Sequence, residues 1–241
     1  MQNPWINFKK LQPYVLDIDK SWFDSYTDQI QKLASRKNES SSKELLLHDY
    51  LFHTDDIPFP YYGNSNTAKV VVLQANPGHD EMFYQRPDTA EILELDCKNL
   101  LHANDPGIYS MAVKYREWTY SNGIINGDWY WKRTRHLREQ VGWENVARGI
   151  IYLEMFPYRS KKLHYPENLP PSQQYTFYLL RKMLEKHVFV IISRMESWWK
   201  ENVPVLADYE YICRLRSRQN AALSPGNMKI EEYNSIVQLL K

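Results

Sequence analysis

Asn76-Pro77-Gly78 stands directly after an apolar run at residues 68–74, and it is the segment whose residue types bear most directly on chemistry. An asparagine amide can hold and orient a water molecule, although it is a poor base. The plainer reading of the same residues is a β-turn, with Pro setting one dihedral angle and Gly supplying a positive φ. His79, Asp80 and Glu81 follow and are metal-ligating types, but adjacent residues cannot close a tetrahedral site and no helical spacing of histidines supports one. No metal and no cofactor are expected. Phe83 and Tyr84 offer rings for stacking on a planar ligand, and the dense aromatics Trp118, Trp129, Tyr130 and Trp131 are either channel walls or core.

Charged residues gather further on. Glu154 closes a second apolar run at 148–153, where it either touches a ligand or pairs internally with Arg159, Lys161 or Lys162. Those cations, with His164, form a basic loop suited to phosphate contacts. Arg214, Arg216 and Arg218 alternate, which puts them on one face of a strand as a phosphate clamp. Residues 1–130 hold 12 basic and 18 acidic side chains and residues 131–241 hold 18 and 11, so a polyanion would prefer the second half. The 241 residues sum to a net charge of only +1, which excludes an acidic disordered tail or a wholly basic packaging protein. Two cysteines are too few for a disulfide framework or a four-thiolate metal site. The first residues lack the pattern of a secretory signal and no run reaches the roughly 18 to 20 apolar residues of a membrane span, so a cytoplasmic protein with no membrane partner is expected.

The elements that must position these residues follow from periodicity. Helices are predicted at 22–36 and 43–53, then strands at 68–74, 148–153, 187–192 and 209–215. Further helices are predicted at 128–141, 172–186, 195–200 and 230–240. Strands alternating with helices predict one α/β domain over 1–241, a helical lead-in at 1–57 followed by a core at 58–241. Ligands of such sheets bind at the carboxyl ends of the strands, where Gln74–Glu81, Glu154–Tyr158, Ser193–Glu196 and Arg216–Asn227 lie.

Val70-Val-Val-Leu-Gln-Ala-Asn-Pro-Gly78 resembles the first active-site motif of the uracil-DNA glycosylase superfamily, most closely its mismatch-specific and single-strand-selective branches, whose buried strand ends in Gly-x-Asn-Pro-Gly. The resemblance runs loosely over residues 61–240. It implies a three-layer α/β/α sandwich with a central, four-stranded, mainly parallel sheet, and a DNA partner. It also implies that Asn76 holds the water attacking the anomeric carbon, with Gly78 completing the motif and Gln74, Ala75, Pro77 and His79 lining the same binding segment. Aligning the proline of the second motif on Pro157 puts Glu154 where the family has a base-reading asparagine, beside Phe156. An ionised carboxylate only accepts hydrogen bonds, so guanine or protonated cytosine is expected in place of uracil. The family's last motif carries a histidine that is missing here, and Arg214 or Arg216 is its substitute as a charged donor, with Ser217, Arg218 and Asn220 gripping the strand. The resulting expectation is a DNA base-excision N-glycosylase acting on a flipped base other than plain uracil. Two alternatives are a catalytically silent binding module of the same fold and a small-molecule N-glycoside hydrolase.

Overall fold

A computed structural model of the chain describes residues 1–79, 89–102, 129–217, 219 and 221–241. Its centre is the run Val70–Leu73 (β2), four consecutive residues buried on both faces, as β-branched runs between helical layers are. Around it lie Tyr61–Tyr62 (β1), Ile150–Leu153 (β3), Phe189–Ile192 (β4) and Ile212–Arg214 (β5). The sheet order is β1-β3-β2-β4-β5. Strands β3, β2, β4 and β5 are mutually parallel, whereas β1 runs antiparallel to β3, with Tyr61 opposite Leu153 and Tyr62 opposite Tyr152. The sheet is therefore mixed and five-stranded, a correction to the expected four. The added strand is two residues long and follows Pro58 and Pro60, so no alternation marks it in the sequence.

What ends β1 is steric. Gly63 has a φ of +133°, and a Cβ there would lie 2.6 Å from the Ile151 Cα, so only glycine lets the chain run this close beside β3. Tyr61 is further tied by its hydroxyl, which donates to the Leu100 carbonyl at 2.6 Å, and by its own carbonyl, which accepts from Asn99 Nδ2 at 2.7 Å.

Helices cover both faces. On one side Lys20–Ser35 (α1), Ser40–Tyr50 (α2) and Gln173–Leu184 (α7) pack on Val71, Leu73, Ile151 and Leu153. On the other, Trp129–Arg133 (α4), Arg135–Val141 (α5), Trp143–Gly149 (α6) and Ile230–Leu240 (α9) pack on Val70, Val72, Ile150 and Tyr152. Thr89–Leu100 (α3) contributes Leu95 to the second core and Cys97 and Leu100 to the first, and Glu196–Asn202 (α8) follows β4. The helix expected at 128–141 is broken after Arg133. Neither α3 nor α6 was expected from periodicity.

The first 57 residues share the core of the sheet. Trp22 stacks on Tyr26 at 5.8 Å and on Tyr158 at 6.0 Å, and Phe52 packs against Tyr26 at 4.6 Å. Asp19, the residue before α1, has no exposure and does not cap that helix through its side chain. Its carboxylate instead accepts from the Tyr158 hydroxyl at 2.7 Å and the Ser172 amide at 2.9 Å, joining the amino-terminal helices to the segments after β3. Both cysteines are buried thiols.

Candidate functional site

The four parallel strands stand in the order second, first, third, fourth. The chain therefore leaves β2 toward one edge of the sheet and leaves β4 toward the other, which opens a crevice outside the carboxyl ends of β2 and β4. Register decides which side chains stand there. Leu73 pairs with both Leu153 and Ile192, so the next residue of each strand, Gln74, Glu154 and Ser193, forms one further row. The ladder continues into it: the Gln74 amide donates to the Leu153 carbonyl at 2.9 Å and the Ser193 amide to that of Leu73 at 3.0 Å. Alternation turns all three side chains toward the face of Val72, Tyr152 and Ile191.

This row is polar, buried and incompletely satisfied. Gln74, Glu154 and Ser193 are 6%, 3% and 2% exposed. Gln74 Nε2, Glu154 Oε2 and Ser193 Oγ have no hydrogen-bond partner among the described residues. Buried polar atoms are ordinarily paired, and each orphan costs on the order of 1–3 kcal/mol, so three side by side at the strand ends make this row the candidate site. Arg133, from α4, reaches over the row and donates to Gln74 Oε1 at 2.6 Å, which fixes the amide with its NH₂ left over. Trp199 Nε1 of α8 donates to the Gln74 carbonyl from the other side at 3.0 Å.

Burial pushes the Glu154 carboxyl up to about 8, against the opposing pull of the Arg133, Arg159 and Arg194 guanidiniums. Near neutral pH the residue is therefore mostly an uncharged acid, with one O–H donor and one accepting oxygen. In that form it donates as well as accepts, whereas the expected ionised carboxylate only accepts. Nor does Glu154 form an internal ion pair among the described residues. Arg159 donates to the carbonyls of Ile57 and Gly78, and Lys162 binds Asp49 at 2.7 Å.

Beyond the row the Asn76 segment is extended. The Phe156 amide donates to the Ala75 carbonyl, the Ser160 amide to that of Pro77 and the His79 amide to that of Ser160, so 75–79 runs beside 156–160. Gly78 bridges Ser160 in parallel and is not among the positive-φ glycines, with nothing within 4 Å of where a Cβ would stand. The expected Pro-Gly turn with a positive φ is thus not formed. Asn76 Nδ2 donates to Ser160 Oγ at 2.9 Å and to the Pro77 carbonyl at 3.1 Å, which immobilises the amide and leaves Oδ1 as its accepting atom. His79 turns away into a histidine stack: its Nδ1 lies 2.7 Å from Asp56 Oδ2 and its ring lies parallel to His53 at 3.5 Å.

Other expected site residues stand elsewhere. Phe156 is fully buried between Trp22, Phe52 and Trp198 and is core. Arg214 is clamped on Glu196 by three contacts of 2.6 to 2.9 Å, holding that carboxylate down to about 2, so it is an ion-pair residue and not a spare cation. Arg216 is exposed beyond β5 and makes no ion pair among the described residues. The Ser217 amide donates to Asn227 Oδ1 at 2.7 Å, and the Leu223 amide donates to the Arg133 carbonyl at 2.8 Å, which docks the β5 loop on the helix that covers the row. Tyr130 is core and Trp131 lies under the Arg138 guanidinium. Phe83, Tyr84, Trp118, Arg218 and Asn220 lie outside the described residues, as does the side chain of Trp129.

Sequence reasoning reached Ser193 only as the start of the strand-end segment Ser193–Glu196, with no role of its own, and did not reach Arg133. The first is recoverable by counting one residue past each apolar run, whereas Arg133 carries no local signal. A groove of about 550 Å³ lined by Tyr165, Met195, Glu196, Ser197 and Trp198 also opens just after β4. Among the described residues, no helix is long and apolar enough to cross a membrane, and no group of three or more His, Cys, Asp or Glu side chains could hold a metal ion. No protein-family model, curated protein or solved structure matches this chain.

Proposed function

We propose that this chain hydrolyses the N-glycosidic bond of a nucleobase extruded from DNA. The observation that carries this reading is the buried row Gln74–Glu154–Ser193 under Arg133, lying at the strand ends immediately before an immobilised Asn76. The row supplies a base-sized patch of hydrogen-bonding groups, and the fixed Asn76 Oδ1 is suited to accept from a water aimed at the sugar. In the reaction the bond between C1′ and the base nitrogen breaks, the base leaves with the electron pair, and the water oxygen bonds to C1′. The water proton neutralises the departing base. Stabilising negative charge on that base matters more than a strong nucleophile, because the sugar passes through an oxocarbenium-like state. With Glu154 uncharged, the neighbouring guanidinium of Arg133 remains as net positive charge in a partly buried site. This supports the chemistry without the histidine that the resembling family carries.

A second reading has a specific observation in its favour. Arg159, Lys162 and Arg214, three of the cations expected to form a phosphate track, are committed to carbonyls or carboxylates of the chain itself. A free nucleoside would need no such track.

The test is base release from single-stranded and duplex oligonucleotides carrying a panel of modified bases, read as strand breakage in alkali, beside nucleosides read by chromatography. Asn76→Ala should abolish release while leaving the fold intact. Release unchanged in that variant would refute the role of Asn76. Hydrolysis of nucleosides alone, with oligonucleotides untouched at low salt, would favour the second reading.

A further inference from the structure

Three chain segments meet beside Asn76, and two stacked imidazoles sit at their junction. His53, just after α2, donates its amide to the Arg159 carbonyl at 2.8 Å, and His79 donates its own to the Ser160 carbonyl at 3.2 Å. Each ring is thus carried by backbone fastened to the 156–160 segment. The same segment holds Asn76 through Ser160 Oγ at 2.9 Å, and Arg159 completes the junction by donating to the carbonyls of Ile57 and Gly78. Across it the His53 and His79 rings lie face to face, 3.5 Å between centroids and 5° from parallel. The His48 ring stands edge-on to both at 5.5 and 6.3 Å.

The groups around the stack favour one charge in it and oppose a second. Asp56 is 1% exposed, its Oδ2 lies 2.7 Å from His79 Nδ1, and its Oδ1 has no hydrogen-bond partner among the described residues. A buried carboxylate requires a cation, and His79 is the group placed to supply it. A charged ring lying on a neutral one is attracted to it, as a cation is to an aromatic face. A second proton, on His53, would set two imidazoliums face to face. Asp55 Oδ1 stands 4.0 Å from His53 Nδ1 but is largely exposed, so water screens it. Arg159 is permanently charged, His48 brings a third imidazole, and Asp49 of α2 is taken up by Lys162 at 2.7 Å. His53 Nε2 donates to the His48 carbonyl at 3.2 Å, which leaves Nδ1 as the bare nitrogen of the neutral ring. Burial and the charge of His79 accordingly hold His53 below its ordinary value.

We propose that the His53–His79 stack is an acid-sensitive clasp on the Asn76 segment: with one ring charged it holds 53–57, 75–79 and 156–160 together, and with both charged it parts and frees Asn76 from Ser160. The two histidines are positioning residues that act on Asn76 through Ser160. The clasp operates whether or not the site hydrolyses a glycosidic bond. Once it is open, His53 titrates at its ordinary value of 6.5, above its value in the closed stack, so opening takes up a proton. The open fraction therefore grows by up to about tenfold for each pH unit below 6.5, until the closed stack itself takes up the proton.

The experiment is hydrogen exchange of the full chain at pH 7 and pH 5, each amide's rate corrected for the intrinsic effect of pH, in parallel with His53→Phe. The phenylalanine keeps a flat ring in the stack but cannot charge. The His53, His79 and Ser160 amides, whose carbonyl partners lie across the junction, should lose about tenfold in protection at pH 5 in the natural chain and less than about threefold in the variant. At both pH values they should be at least about tenfold less protected than the amides of β2 and β4, which open only with the whole fold. Imidazole resonances of the natural chain give a second reading that needs no variant and so reports even if His53→Phe fails to fold. The two rings should titrate as a coupled pair, the later proton entering below pH 6.5 in step with the loss of protection and with a shift of the Asn76 side-chain NH₂ resonance. Equal loss in both proteins, no loss at pH 5, junction protection equal to that of the core strands, or two rings titrating independently would each overturn the proposal.

Discussion

Replacing Glu154 with Gln removes a proton equilibrium while keeping side-chain length and hydrogen-bonding capacity, and its effect on stability is set by the two states of the acid. The carboxyl titrates at about 8 in the folded chain against an ordinary value of 4.5, so the two lie about 3.5 pH units apart. A raised acid means that the folded state binds more protons than the unfolded state within that window, so folding stability falls as pH rises from 4.5 to 8. Each pH unit is worth about 1.4 kcal/mol when the window is fully crossed, which gives about 5 kcal/mol in total and about 2.5 kcal/mol between pH 5 and pH 7. At 3% exposure solvent screening does not reduce the figure appreciably. Urea unfolding followed by tryptophan fluorescence at pH 5, 6, 7 and 8 measures it. The difference between the two proteins is the quantity to read, because every other titrating group contributes equally to both. The glutamine variant should gain about 2.5 kcal/mol on the natural chain from pH 5 to 7. A pH-independent difference, or a gain by the natural chain, would show that Glu154 is ionised and paired, and would refute the account of the site.

Gly63→Ala should destabilise by more than about 3 kcal/mol, since its Cβ would meet the Ile151 backbone and no side chain can move aside; chemical denaturation reads this directly. Trp199→Phe removes the indole donor from the Gln74 carbonyl in a fully buried setting and should cost about 1–3 kcal/mol in the same measurement. Ser160→Ala frees the Asn76 amide, so base release should fall with a stability loss of only about 1 kcal/mol, and a variant as active as the natural chain would show that Asn76 needs no such anchoring. His53 is held below its ordinary value by burial and the charge of His79. Stability should therefore fall as pH drops below about 6.5, and less so in His53→Phe, as thermal unfolding at pH 5 and 7 would show.

Composition and periodicity alone identified the alternation of strands and helices and the strand ends as the place to look. The apolar runs around Val70–Leu73, Ile150–Leu153 and Phe189–Ile192 are each too rich in β-branched and aliphatic residues to be anything but strands buried on both faces. Helix α9 is recovered residue for residue because its amphipathic pattern has one solvated side. Tyr61–Tyr62 escaped because a two-residue strand has no period, and the chain after it must approach the Ile151 backbone as closely as only Gly63 allows.

The site divides in the same way. Gln74, Asn76 and Glu154 were legible as polar residues closing apolar runs. Whether Phe156 faces a ligand or the core depends on parity after the strand ends, where alternation no longer binds the chain, and the packing of Trp22 and Phe52 decided it. Arg214 looked like a clamp on an anion until β5 came alongside the start of α8 and gave it Glu196. The protonation of Glu154 is the clearest case. Its sequence neighbours include cations that would hold any exposed carboxylate ionised, and only the three-dimensional burial that excludes water reverses the sign. Residue types and spacing determine what each side chain is able to do; desolvation and register, which arise between distant segments, determine which of those things it does.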